Sequence, residues 1–110
     1  MLTDSDSSEI HPANQALEAA LSAVTDERTF LAFLSELANN RQSEKEIETR
    51  SPSSPWGSGA LGWEHGDIEN FIGAAASWGE ASIEGLAAYQ PSENPWKRCA
   101  EILHMGKLYE

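Results

Sequence analysis

Apolar residues in this chain recur three and four positions apart, and no segment alternates apolar with polar residues in the two-residue period of a strand. That spacing predicts an all-α fold. Leu17, Ala20, Leu21 and Val24 mark a short helix from Pro12, whose missing N–H costs nothing in a first turn. Thr25 and Asp26 are N-cap types, and Glu27 suits the positive end of a helix dipole. They predict a break at Thr25, with one bent helix as the alternative. The second helix carries Phe30, Leu31, Phe33, Leu34, Leu37 and Ala38. It is expected to run from Asp26 to Asn39, where Asn39-Asn40 can end it, or onward through Gln42–Glu48 as a solvated segment.

Ser51–Gly62 holds two Pro, three Gly and four Ser, which is loop chemistry, and carries Trp56 inside it. Asp67 caps the next predicted helix, which reaches Gly79 and is expected to bury Ile68, Phe71, Ile72, Ala75 and Trp78. Gly79–Glu93 reads as irregular, with a possible helical turn over Ser82–Ala88. Asn94-Pro95 then starts the last helix, a cap residue followed by Pro at the first helical position. The expected architecture is a small bundle of three main helices plus a short N-terminal helix. Residues 12–110 form one domain behind an acidic, serine-rich and disordered tail, residues 1–11.

The core of such a bundle has little aliphatic bulk. Leu, Ile, Val and Phe together supply 20 of 110 residues, so four Trp and two Tyr must carry much of the burial. Formal net charge is −11, from 18 Asp+Glu against 7 Lys+Arg. A surface of that sign repels phosphate, which argues against direct binding of nucleic acid or of an anionic membrane. No apolar run approaches the roughly 20 residues of a membrane span. Met1–Glu9 has no basic region of the kind that opens a secretory signal. Cys99 is the only cysteine, which suits a reducing cytoplasm, and His11, His65 and His104 are too scattered for metal-ligand spacing. No cofactor is expected.

Phe30-Leu31-Ala32-Phe33-Leu34, Trp63-Glu64-His65, Ala76-Ser77-Trp78, Asn94-Pro95-Trp96, Ala100-Glu101-Ile102-Leu103 and Tyr109-Glu110 together make a recognisable series. Over residues 25–110 it resembles a family of small acidic helical bacterial proteins of unknown function. His65 stands where that family has Asn, and the stretch before Trp63 is long. The resemblance implies the fold and carries no activity.

Glu64, His65 and Asp67 are adjacent in sequence, but general acid–base work needs convergence on a pocket, and capping explains the carboxylates better. Cys99 lies a turn from Trp96 and from Leu103, so it is expected on the apolar face as a small hydrophobe. Trp63, Trp78 and Trp96 are expected to form an aromatic core centre. Trp56 is equally suited to packing down or to anchoring a partner.

The remaining signal is charge: Asp67, Glu69, Glu80, Glu84, Glu93 and Glu101 lie in the half of the chain whose cations are Lys97, Arg98 and Lys107. With no catalytic constellation, the expectation is a non-enzymatic cytoplasmic immunity protein. Its partner would be a cognate bacterial toxin, a basic nuclease domain from contact-dependent or other interbacterial competition. The protein would occlude the toxin's site through Trp56, Asp67, Glu69, Glu80, Glu84 and Glu93. The alternative is a cytosolic interaction or regulatory module whose acidic surface only keeps it soluble.

Overall fold

A computed structural model describes residues 10–109, and the expected tail lies almost wholly outside them. Four helices follow in order: α1 (Pro12–Ser22), α2 (Glu27–Arg50), α3 (Ile68–Ile83) and α4 (Pro95–Leu108). The all-α bundle with a short N-terminal helix is therefore the observed fold, and the described residues form no named strand.

Each start has a local cause. His11 caps α1, its Nδ1 accepting from the Ala13 amide. At α2 the Asp26 carboxylate accepts from the Thr29 amide at 2.9 Å while Thr29 Oγ1 accepts from the Asp26 amide at 3.0 Å, a reciprocal capping box. Asp67 caps α3 and Asn94 caps α4. The break between α1 and α2 falls over residues 23–26, as the cap residues predict.

Two boundaries differ from expectation. α2 does not stop at Asn39-Asn40 but runs unbroken to Arg50, because Asn40 and Glu44 are drawn inward as polar anchors rather than solvated. α3 passes through Gly79 to Ile83, since Gly79 and Ser82 lie on its buried face and pack toward α4.

The helices pack as two pairs, α1 with α2 and α3 with α4, and α4 also touches α1 and α2. Leu17, Val24, Phe33, Leu37, Leu61, Trp63 and Ala100 form the buried core, with Phe30, Leu34, Phe71 and Leu103 packed around it. Small residues let α3 and α4 approach closely. A Cβ on Gly106 would lie 2.9 Å from the Phe71 carbonyl oxygen, so that position tolerates no side chain. Across the bundle, Lys97 Nζ donates to the Ser22 carbonyl and Asn94 Nδ2 to the Thr25 carbonyl, fastening the start of α4 to the α1–α2 corner.

The aromatic residues do not stack as one centre. Trp63 pairs with Phe71, Trp78 with Tyr89, and the part-exposed Trp96 with Phe30, at centroid separations of 4.8–5.8 Å. Cys99 is exposed, contrary to its expected burial, and Ala100 takes the core position beside it.

Candidate functional site

The connection between α2 and α3 buries Leu61 and Trp63 in the core, and carboxylates on α2 hold its backbone down. Glu44 is buried, and its Oε1 accepts from the Leu61 amide at 2.8 Å. Its Oε2 is 3.3 Å from Arg41 Nη1. One turn later Glu48 accepts from the Ser53 and Ala60 amides at 2.7 and 2.8 Å. The Ser53 hydroxyl and these amides stabilise the ionised form and hold the Glu48 carboxyl below its ordinary pKa. Two glutamates one turn apart thus satisfy backbone amides of this segment, beside the burial of Leu61 and Trp63.

Beside them sits a closed polar network. Asn40 Oδ1 accepts from Trp63 Nε1 at 2.8 Å, and Asn40 Nδ2 donates to the Ala13 carbonyl and to Asn14 Oδ1. The buried Lys107 ammonium donates to the same Asn14 oxygen at 2.9 Å and lies 5.8 Å from the Trp63 ring centroid. Burial pushes the Lys107 pKa below its ordinary value, with Glu44 and Glu18 acting in the opposite direction. These groups have partners in satisfied geometry, and the network reads as structural cement rather than as reactive machinery. Sequence reasoning passed over Asn14, Asn40, Glu44 and Lys107, because nothing in their spacing separates a buried polar residue from a solvated one.

Glu64, His65 and Asp67 also have structural partners. The Glu64 amide donates to the Lys107 carbonyl at 2.9 Å. His65 Nε2 lies 2.7 Å from the Tyr109 carbonyl oxygen, and because a carbonyl only accepts, that nitrogen carries the proton. Asp67 Oδ1 accepts from the Asn70 amide. His104 is mostly buried, which lowers its pKa to about 4, with the charge of Lys107 contributing. Among the described residues, no group of three or more His, Cys, Asp or Glu could hold a metal ion.

Outward, α3 divides into three stripes. Phe71, Ala75, Trp78 and Ser82 face inward. At roughly 100° per residue, Ile68, Ile72, Ala76 and Ile83 fall in the next arc of about 80°, and Glu69, Glu80 and Glu84 in the arc beyond. Ile68 and Ile72 are not buried as the periodicity predicts, being 74% and 58% exposed, and Ile83 is 75% exposed. α3 turns its small face, Ala74, Ala75 and Gly79, into the core instead, because these residues let it sit close to α4. The apolar row is left on the outside.

That row borders a cleft. Among the described residues α2 and α3 have no close backbone approach. Between them lies an opening of about 300 Å³, walled by Leu34, Leu37 and Ala38 on one side and by Ile68 and Phe71 on the other, over Trp63. Arg41 and Asp67 stand at its rim. Arg41 is tied inward, Nη2 donating to the Gly66 carbonyl at 3.2 Å. Leu31, 52% exposed, extends the α2 wall by one turn.

Apart from Arg41, the charge on the α3 side of the cleft is acidic. Between Arg50 and Lys97 the chain has no Lys or Arg, and that span carries Glu64, Asp67, Glu69, Glu80, Glu84 and Glu93. Among the described residues, Glu69, Glu80, Glu84 and Glu93 are exposed with no side-chain hydrogen bond or ion pair. Asp67, Glu69, Glu80 and Glu84 are gathered along α3, and Glu93 lies just before α4. Trp56 is 92% exposed in the connection before α3. No helix among the described residues is long and apolar enough to cross a membrane. No family model, curated protein or solved structure matches the chain.

Proposed function

We propose that this protein is an immunity protein, a non-catalytic stopper that neutralises a cognate bacterial toxin carrying a basic nuclease domain. One observation carries the reading: α3 presents unpaired carboxylates at Glu69, Glu80 and Glu84 beside an uncovered apolar row, within a 46-residue span free of Lys and Arg. A nuclease cleft is basic because it holds phosphates, so an acidic face both steers encounter and competes for the cleft. The inward tethering of Arg41, Lys97, Arg98 and Lys107 supports the reading, since it leaves the carboxylates without compensating cations on this side. On this proposal the chain acts in the cytoplasm, where such a nuclease meets its substrate. It is also a relative of the small acidic bacterial family that its Trp and Asn-Pro motifs resemble.

The test is co-expression with the protein encoded immediately upstream, which on this proposal is a toxin with a basic C-terminal nuclease domain. The expected result is restored growth of the bacterial host and a complex whose association rate falls steeply as salt rises. Unimpaired killing in the presence of the folded chain overturns the proposal. So does turnover of a small molecule by the purified protein.

A further inference from the structure

We propose that the α2–α3 cleft and the isoleucine row beside it are a docking groove for one amphipathic helix of a basic protein partner. The proposal rests on the reading that the chain binds such a partner, and it names the element and the surface. Two helical walls with an aromatic floor suit a helix laid lengthwise, with anchors spaced i, i+3, i+4 and i+7. The apolar row continues past the cleft through Ile72 to Ile83, too far for a small ligand lodged between Ile68 and Phe71. Glu69, Glu80 and Glu84 run parallel to that row on its outer side, so the occupant must carry Lys or Arg along the matching edge of its apolar face.

The same charges argue against the other occupants. Residues 1–9 of this chain contain Asp4, Asp6 and Glu9 and no Lys or Arg, so their charge has the same sign as the α3 carboxylates that flank the apolar row. A second copy apposed through α3 would bring two acidic rows together, which like-charge repulsion disfavours. Complementarity therefore selects a cationic partner over self-association.

The probe is a synthetic 14-residue helix with Leu at i, i+3, i+4 and i+7 spacing and Lys elsewhere, titrated into the ¹⁵N-labelled full chain. Amide shifts are expected at Leu34, Ala38, Ile68, Phe71 and Ile72. Affinity is expected to fall tenfold or more in Ile68→Ser/Ile72→Ser and, at low salt, in Glu69→Gln/Glu80→Gln. Both pairs are exposed, so circular dichroism should confirm that the variants fold. A scrambled Leu/Lys peptide of identical composition should bind at least tenfold more weakly.

Equal binding of the scrambled peptide overturns the proposal, as do shifts confined to residues outside the cleft. Sedimentation showing a dimer that Ile72→Ser dissociates also overturns it, by assigning the face to a second copy. If the chain protects cells from the toxin while the peptide fails to map to the cleft, the docking groove falls and the immunity reading stands. If the peptide maps to the cleft and protection is absent, the groove stands and the immunity reading falls.

Discussion

The carboxylate of Glu44 fills the space that a side chain at Gly59 would need: a Cβ built on Gly59 overlaps the Glu44 carboxyl group. The same carboxylate receives the Leu61 amide, so the glycine and the glutamate together set how the connection before α3 lies on α2. Gly59→Ala is expected to destabilise the protein by about 2 kcal/mol through overpacking. Gly57→Ala, with nothing within 4 Å, is expected to change stability by under about 0.5 kcal/mol. Urea denaturation of both variants checks the contrast, and equal costs would remove the steric argument.

Replacing Glu44 itself separates its hydrogen bonds from its charge. Glu44→Ala leaves the buried Leu61 amide without its acceptor and should cost about 3 kcal/mol. Glu44→Gln retains an acceptor oxygen and should cost roughly 1 kcal/mol. If Gln is as damaging as Ala, the negative charge rather than the acceptor holds the loop.

Acid sensitivity should report His104. Its folded pKa, about 4, lies below the ordinary 6.5. As pH drops from 6.5 toward 4, the unfolded chain therefore takes up a proton that the native chain refuses. The contribution of the neutral imidazole is complete above pH 6.5 and is lost across that interval. Asp26 and Glu48 have lowered folded pKa values, so their contributions are present above 3.8 and 4.5 and fall away only below those values. Between pH 6.5 and 4.5, His104→Gln is expected to flatten the decline in denaturation midpoint. An unchanged slope would show that another group titrates there.

Reversing the outer charges should affect association and leave folding alone. Glu80→Lys, Glu84→Lys and Glu93→Lys in one chain remove no ion pair among the described residues, so the melting temperature should hold to within a few degrees. The association rate with the toxin domain is expected to drop tenfold or more at low salt, with the difference shrinking as salt rises. Protection equal to that of the parent would show that the contact lies elsewhere.

Cys99 is exposed and unpaired, so a disulfide-exchange reagent should titrate one thiol in the native protein as readily as in urea. Slow native labelling would contradict the exposed placement.

The helix starts were legible because their causes are local. Asp26, Asp67 and Asn94-Pro95 announce caps that depend on residues within one turn. What escaped notice depends on partners distant in sequence. Asn40 reads as a helix terminator until Trp63, 23 positions later, donates its indole N–H to it. Ile68 and Ile72 have the spacing of core residues, yet α3 is turned by its packing on α4, where Gly106 leaves room for Phe71 and Gly79 lies against Ile102. The acidic residues of the candidate surface were visible in the sequence. Their alignment beside an uncovered apolar row was not, since it follows from that rotation.

Because α4 packs against both α2 and α3, whose own backbones do not approach closely, the chain cannot complete its tertiary structure until its last helix is made. Links such as Lys107 to Asn14 and Lys97 to Ser22 span 93 and 75 positions. A ribosome must therefore have released residues 95–108 before that helix can pack, and until then the surfaces awaiting it stand open to chaperones and proteases.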